Sequence, residues 1–444
     1  MQMHKSVAAG ESHIPSSAVP PPLAERVMSR VFRRLLLLLF ILLVFSFLDR
    51  INIGFAGAAM RDDLGLSAAV FGMANTVFYI AYIACGIPAN MIMARIGARR
   101  WIATLVVAWG ITSTCTLFAR DAASLYLLRI LVGVTEAGFL PGMLYYISCW
   151  FPLRYRSRAN ALFMVAMPVT AMLGAVVSGF LLEMNGLWGL RGWQWLFLVE
   201  GMPCLILGAM VWRYLEDRPE EAKWLNVAEK NALLKMLAED APLLPAAQGF
   251  WFSGRVLHSA IIYFCIVTTL GMVNIWGPQI IAGFSAGSGN IMLGFLAAIP
   301  QLITLIAMLW LGWHSDRGHE RRWHTALPLV ISSTGWLCTA FLHNPVLQLI
   351  GLSLASAGAF GAMAVFWALA DEGMPVRGRS TGIAFINAFG NAATIVSAVM
   401  VGVLRDYTGS FAAGILYAAI LLAVGAVMIV GRRDRASGDL SVTH

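Results

Sequence analysis

The stretch RRLLLLLFILLVFSFLDRINIGFAGA, residues 33–58, decides the fold class of this chain. It opens on two arginines and continues through apolar side chains almost to its end. At 1.5 Å per residue, a helix of this length crosses the hydrocarbon core of a bilayer. The whole composition agrees, because 59% of the residues are hydrophobic and 12% are charged, whereas soluble domains usually carry about 25% charged residues. The sequence therefore predicts an all-α integral membrane protein.

Apolar runs of similar length recur along the 444 residues and form two sets of six. The first set lies at 33–58, 70–94, 100–119, 122–147, 158–182 and 193–214, and the second at 256–283, 291–313, 323–342, 346–370, 380–403 and 410–431. The predicted domains are a flexible Ser/Pro/Ala-rich tail at 1–32, a helical half at 33–214, a solvated amphipathic linker at 215–255, a second half at 256–431 and a tail at 432–444. We expect twelve transmembrane helices in two six-helix halves.

The distribution of basic residues predicts which side of the membrane each loop faces. Of the 31 Lys and Arg residues, 25 fall in the tails and in the loops on one side, 4 in the loops on the other side and 2 inside helices. Because Lys and Arg concentrate in cytoplasmic loops, both termini and the linker are predicted to lie in the cytoplasm. For a bacterial chain this is a multi-pass protein of the inner membrane.

Several other classes of protein do not fit. The net charge of +8 is spread over small clusters between apolar runs. This distribution is explained by the topology of a membrane protein and does not indicate nucleic-acid binding. The six cysteines stand singly inside apolar runs, without the spacing of a metal site or a disulfide framework. The spans carry no nucleophile with its base and no cofactor loop. We therefore expect no enzyme, no metal and no cofactor.

Two charged residues lie deep in the first predicted helix. Asp49 and Arg50 stand about 24 Å along that helix from its cytoplasmic end. Charges at this depth are costly and by default indicate function. Asp49 shares a helix face with Asn52, whereas Arg50 points about 100° away. The alternative is an ion pair between helices that only holds the bundle together.

The fourth predicted helix carries a second acid and a second arginine. Arg129 and Glu136 are seven residues apart, which is two turns on one face and about 10 Å. A buried arginine keeps its charge and attracts an anion, while a carboxyl in a low dielectric binds a proton more readily. This combination suits proton-coupled transport of an anion.

Two basic loops, one in each half, carry a further motif. The loop after the second helix contains Gly97, Arg99 and Arg100, and the corresponding loop after the eighth contains Asp316, Arg317, Arg321 and Arg322. The second loop resembles the signature of the major facilitator superfamily. The first departs from it and, with Asn90 and Trp101, resembles the anion:cation symporter branch, which includes permeases for tartrate, hydroxyphenylacetate, phthalate and sugar acids. The simpler reading is a pair of basic cytoplasmic loops.

This resemblance extends through helices 1, 2, 4, 6 and 11 and implies roles for individual residues. It implies that Asp49 and Glu136 carry the coupled protons and that the loop arginines brace helix ends in one conformation. It also implies a substrate cavity lined by further residues of both halves. These are Tyr82, Trp367 and Asn387, with Arg50 or Arg129 meeting the substrate carboxylate.

The function expected from these observations is a proton-coupled symporter that imports an organic anion by alternating access between two halves. An exporter that exchanges protons for amphipathic compounds and an anion uniporter remain open. Glu200 in the sixth helix is expected to be structural, next to Gly201 and Pro203. The expected partners are a small organic acid, protons and the lipid bilayer, with the chain acting as a monomer.

Overall fold

A computed structural model describes residues 21–240, 254–285, 289–318, 320–371 and 379–431. Within these ranges all regular elements are helices. Eleven helical segments of the described chain are long and apolar enough to cross a membrane. The predicted all-α membrane class is therefore confirmed. Residues 1–20, the linker residues 241–253 and the tail after 431 lie outside the described residues.

The described residues of the first half and the linker contain ten α-helices, some of which join end to end within one predicted span. The first span is lengthened at its start by α1 and by a π-helical turn at Phe32–Leu36. The fourth and fifth spans are each broken into two helices. The bounds are α1 Pro21–Val31, α2 Leu37–Leu64, α3 Ala68–Ile96, α4 Ala98–Cys115, α5 Ala122–Glu136, α6 Phe139–Trp150, α7 Leu153–Met164, α8 Ala166–Glu183, α9 Gly192–Tyr214 and α10 Val227–Asp240.

The second half contains seven α-helices within its described ranges. Its first span is broken at Trp276, where a short helix begins with Gly277 and Pro278. Proline fits the first turn of a helix because its missing N–H has no partner to lose there. The bounds are α11 Gly254–Ile275, α12 Gly277–Phe284, α13 Asn290–Gly318, α14 Arg322–Phe341, α15 Pro345–Asp371, α16 Arg379–Thr408 and α17 Ala412–Val430.

Helix α14 corresponds to the ninth predicted span, 323–342, which is not among the eleven segments that are apolar enough to cross a membrane. Several of its polar side chains bond to neighbouring helices. The hydroxyls of Ser332 and Ser333 donate to backbone carbonyls of α15 and α17, and the Trp336 indole N–H donates to Thr269 on α11, at 3.1 Å. Polar groups satisfied between helices in this way are tolerated in a bilayer. These contacts between helices offset the cost of polar side chains within this span.

Helix α1 and the first part of the linker pack together at one end of the first half. Val27 and Val31 of α1 are fully buried beside Leu233 of α10. Arg30 Nη1 lies 2.8 Å from Glu229 Oε2, and that acid is only 3% exposed. The sequence predicts a flexible tail up to residue 32, but in the structure residues 21–31 form an ordered helix. We call this end of the bundle the linker end and the opposite end the far end.

The described contacts between the two halves cluster at the far end. Gly72 of α3 approaches the backbone carbonyl of Ala398 on α16 so closely that a Cβ at this position would collide with it. The carboxylate of Asp406 accepts hydrogen bonds from the Ala68 and Ala69 N–H groups, at 2.9 and 2.7 Å.

A second contact joins α8 to α13, where a Cβ on Gly179 would lie 2.7 Å from the Asn290 carbonyl oxygen. Ile83 and Asn387, which are about two turns closer to the linker end than the α3–α16 contacts, are exposed. The halves therefore close against each other at the far end and leave a cleft toward the linker end.

Candidate functional site

The four charged residues predicted in the first and fourth spans come together inside the first half, and we call them the cluster. Asp49 and Arg50 lie on α2, and Arg129 and Glu136 lie on α5. Arg50 Nε donates a hydrogen bond of 2.7 Å to Glu136 Oε1. Ser46, one turn before Arg50, donates to the same oxygen at 2.6 Å. One face of α2 therefore supplies both a charge and a hydroxyl to a single carboxylate oxygen.

Asp49 joins α2 to a third helix. The hydroxyl of Ser113 on α4 donates a hydrogen bond to Asp49 Oδ1. Arg129 lies close enough to act on Asp49 electrostatically, but among the described residues no direct salt bridge links the two. The two acids of the cluster thus have different partners, a hydroxyl for Asp49 and an arginine for Glu136.

Both arginines of the cluster rest on aromatic rings of α3. The Arg129 guanidinium carbon lies 4.7 Å from the ring centroid of Phe78, and that of Arg50 lies 4.6 Å from the ring centroid of Tyr82. The two rings are one helical turn apart and stack with their centroids separated by 6.0 Å. Desolvated cation–π contacts of this kind contribute about 2 kcal/mol each. The aromatic pair therefore fixes both positive charges at one wall of the cleft.

The members of the cluster differ in their access to the cleft. The side chain of Arg50 is 16% exposed, whereas that of Glu136 is 1% exposed. Arg129 is 1% and Asp49 is 5% exposed. Within the described part of the chain, Arg129 Nε, Arg129 Nη1 and Glu136 Oε2 have no hydrogen-bond partner. Arg50 is thus the charge that a solute in the cleft reaches first, and the buried members keep unused donors and an acceptor.

The fourth predicted span is interrupted directly after Glu136. Helix α5 ends at Glu136, and Gly138 takes a left-handed conformation with φ of 79° before α6 begins. Glycine is favoured there because it adopts positive φ without a steric penalty. Glu136 therefore lies at a joint between two helices, where a small rotation moves its carboxyl relative to Arg50.

The second half contributes an aromatic wall. Trp367 on α15 is half-buried and packs against Tyr263 on α11, with ring centroids 4.8 Å apart. Asn387 on α16 is exposed. The described contacts place neither residue against the arginine cluster, since both belong to the other half. Their predicted part in lining a shared cavity stays a prediction.

Glu200 on α9 is a third buried acid of the first half. It is 4% exposed and lies beside Asn52 and Ser178. Its neighbours come from α2 and α8, and it is also close enough to Asp49 of the cluster to act on it electrostatically. This position fits the structural role expected from the sequence, which stays a prediction.

The first loop motif is held by a residue of the linker. The carboxylate of Asp217 accepts a hydrogen bond of 2.8 Å from the Arg99 N–H, at the first turn of α4. Gly97 has φ of 92°, and a Cβ there would lie 2.6 Å from Asp217 Oδ1. The Arg99 guanidinium stacks on Trp212, 5.6 Å from its ring centroid, while Arg100 is exposed. An acid at a helix N-terminus is stabilising, so this loop ties the linker to α4.

The second loop motif has an equivalent acid inside its own sequence. Glu320 accepts hydrogen bonds from the Trp323 and His324 N–H groups at the first turn of α14. Arg321 Nη1 donates to Ser315 at 3.0 Å, and Arg322 donates to the Val430 carbonyl. Arg317 lies over the ring of Trp313. The side chain of Asp316 lies outside the described residues.

Some residues of the site were not predicted from the sequence. Ser46, Phe78, Ser113 and Asp217 each contact a residue that was predicted. Ser46 and Phe78 had a usable signal, because each lies four residues before a predicted site residue on the same helix face. Ser113 and Asp217 had none, since their partners lie on helices distant in sequence.

Two bundles of membrane-crossing helices enclose a cleft, and buried acids and arginines stand at its wall. This arrangement is that of a multi-span membrane transporter. The sequence pattern of the Major Facilitator Superfamily matches residues 39–398, which is most of the chain. The chain belongs to this superfamily and is a secondary transporter, as its sequence predicts.

Individual relatives cover nearly the whole length. The chain is 39% identical over 410 residues to a putative tartrate transporter of Agrobacterium vitis, covering 91% of both chains. It is 32% identical over 411 residues to a quinolone resistance transporter of Acinetobacter baumannii, covering 90% of this chain and 94% of the relative. Among solved structures it is similar to the inward open conformation of the xylose transporter XylE from E. coli, with a TM-score of 0.74, 14% identity and coverage of 91% and 96%. At this identity the structural likeness concerns the fold alone.

Proposed function

We propose that this transporter is a proton-coupled symporter that imports an organic acid anion across a bacterial inner membrane. The proposed site consists of the coupling acids Asp49 and Glu136 and the anion-binding arginines Arg50 and Arg129. Tyr82, Trp367 and Asn387 are proposed to line the cavity. A single chain contains both halves and is proposed to act as a monomer.

The observation that carries this proposal is the 2.7 Å ion pair between Arg50 and Glu136. Arg50 is the partner that reaches the cleft, and Glu136 is the partner that does not. A substrate carboxylate that takes the guanidinium of Arg50 removes the counter-charge of Glu136. An ionised carboxylate left unpaired in a buried site costs several kcal/mol, and protonation removes this cost. Anion binding and proton binding therefore favour each other.

The remaining charges support the same coupling. Arg129 keeps two unused donors close to Asp49 and Glu136, so the positive potential of the cluster persists when Arg50 turns to the substrate. Ser113 and Ser46 each hold one acid in place through a hydroxyl that can bond to either protonation state. Both acids can thus exchange a proton without a rearrangement of their hydroxyl partners.

An exporter of amphipathic compounds is the second candidate, because one close relative is named a quinolone resistance transporter. The same buried acids serve proton antiport equally well. The two modes differ in the direction of flux relative to the proton gradient and in the need for an acid substrate.

Uptake into proteoliposomes distinguishes the two candidates. With an imposed inward proton gradient, we expect accumulation of at least one acid from a panel of tartrate, hydroxyphenylacetate, phthalate and a sugar acid, and no accumulation once a protonophore collapses the gradient. A thermal-shift screen against the same panel identifies the ligand beforehand. Efflux of a quinolone in exchange for protons, with no acid carried, would support the exporter instead.

Membrane sidedness has its own test. Single cysteines at Glu221, which is exposed in the linker, and at position 437, introduced into a cysteine-free chain, are expected to resist an impermeant thiol reagent in intact cells. A cysteine at the exposed Arg120, in a far-end loop, serves as the matched control and is expected to react. Labelling at Glu221 or position 437 would contradict the cytoplasmic placement of the linker and termini.

A further inference from the structure

A groove at the linker end of the first half lies outside the cluster around Arg50. Its volume is about 680 Å³, and it is lined by α1, α2, α7 and the π-helical turn. Small-molecule sites usually measure about 300–1,000 Å³. The groove is therefore large enough for a complete organic acid.

Three arginines line this groove: Arg33, Arg154 and Arg158. All three are exposed, and within the described residues none forms a salt bridge. Their neighbours Arg30 and Arg34 differ, since these turn to linker acids. The sole acid among the described lining residues is Glu25. The groove thus carries an excess of uncompensated positive charge.

Aromatic and aliphatic side chains form the rest of the groove. The guanidinium of Arg158 lies 5.6 Å from the ring centroid of Phe32, and that of Arg154 lies 5.7 Å from the ring centroid of Tyr155. Leu37 and Leu162 line the groove and are 63% and 44% exposed. The arginines are therefore positioned by rings above an apolar wall, which suits a carboxylate with an organic body.

The groove faces the cleft. Ile51 and Phe55 of α2 line the contact between the halves, together with Asn274 and Pro278 of the second half. Leu37 lies 14 residues before Ile51, which is about four helical turns, so both project from the same face of α2. Arg50 lies about 20 Å further along α2 than Leu37 and projects about 140° away from it, so the groove lies at the linker-end rim of the cleft and not beside the Arg50 cluster.

We infer that this groove is a second, peripheral anion site, which holds the transported carboxylate at the mouth of the cleft. The inference rests on the proposed function. A basic mouth raises the local concentration of an anion and its association rate by about 10- to 1,000-fold, and salt screens the effect. Because the attraction is that of point charges, it needs positive charge and not the two-pronged geometry of arginine.

The test compares the two faces of the reconstituted full-length protein, with the four acids of the panel as probes. Arg154→Gln with Arg158→Gln is expected to raise the half-saturation concentration on the linker side about tenfold and to flatten its dependence on NaCl. The half-saturation concentration on the far side is expected to stay unchanged. Arg154→Lys with Arg158→Lys is expected to retain wild-type behaviour. Arg33→Gln provides an independent variant with a smaller effect in the same direction.

Arg213→Gln with Lys223→Gln is the matched control, because it removes two exposed positive charges outside the groove. Linker-side saturation and salt dependence like those of the wild type in both the double glutamine variant and Arg33→Gln would overturn the inference. The inference would also be overturned if the glutamine variants kept wild-type transport kinetics but were no longer stabilised by phosphatidylglycerol vesicles. That outcome would assign the groove to a lipid. A wild-type protein that carries none of the acids would instead contradict the proposed function itself.

Discussion

Glu136→Gln is expected to abolish accumulation driven by a proton gradient while substrate exchange continues. The amide keeps the shape of the side chain and mimics the protonated acid. Arg50, which gives its Nε hydrogen bond to Glu136 in the structure, then has no counter-charge and is free for the substrate in every cycle. The carrier can move without taking up a proton, so substrate equilibrates but is not concentrated. The measurement compares net uptake under a pH gradient with counterflow of labelled substrate.

Two variants serve as comparisons for this experiment. Asp49→Asn is expected to behave similarly, since Asp49 is held by Ser113 in the same cluster. Glu200→Gln is the matched control, because it neutralises an equally buried acid on a different helix, α9, and it is expected to keep coupling. If Glu136→Gln still concentrates substrate, the assignment of the protons is wrong, and the next residue to test is Glu200 or Asp371, an acid at the last position of α15. Wild-type net flux in both cluster variants would indicate a uniporter.

Arg50→Lys is expected to weaken substrate binding by about tenfold to a hundredfold. A lysine keeps the charge but loses the planar pair of donors that matches a carboxylate. A hydrogen bond to a charged group contributes about 1.5–3 kcal/mol, which corresponds to this range of affinities. The ammonium also loses the stacked contact on Tyr82. Thermal-shift titration with the transported acid measures the effect without requiring turnover.

Arg129→Lys separates the roles of the two arginines. Arg129 is 1% exposed and rests on Phe78, so we expect this variant to lose coupling or stability more than affinity. Arg120→Lys, at an exposed far-end position, is the control and is expected to be silent. Near-normal uptake by both cluster variants would mean that these arginines are structural or that the substrate is not an acid.

The membrane architecture followed from the sequence because hydropathy over about 20 residues reports directly on the ability to cross a bilayer. The breaks within spans were not predicted from the sequence. Gly138 after Glu136 and Pro278 in α12 interrupt runs that remain apolar throughout, so their hydropathy shows no gap. The packing of α1 on α10 was also missed, because it depends on a long-range pair, Arg30 with Glu229, in a segment whose composition resembles a flexible tail.

The candidate site could be predicted in its charges but not in its contacts. Asp49, Arg50, Arg129 and Glu136 were identified because charge inside an apolar run is costly. Pairing Arg50 with Glu136, and Asp49 with a hydroxyl, depends on the rotation and tilt of α2 against α4 and α5. A single sequence without coordinates carries no measure of either.

The equal number of acids and arginines in the buried cluster has an electrical consequence. With both acids ionised, the charges of the four side chains sum to zero, so the return of the empty carrier moves no net charge from this cluster through the membrane field. The membrane potential, worth about 2.3 kcal/mol per elementary charge per 100 mV, then acts on the loaded carrier alone. A divalent anion accompanied by two protons would cross as a neutral unit, so its transport would not depend on the membrane potential. A monovalent anion with the same two protons would be driven by it.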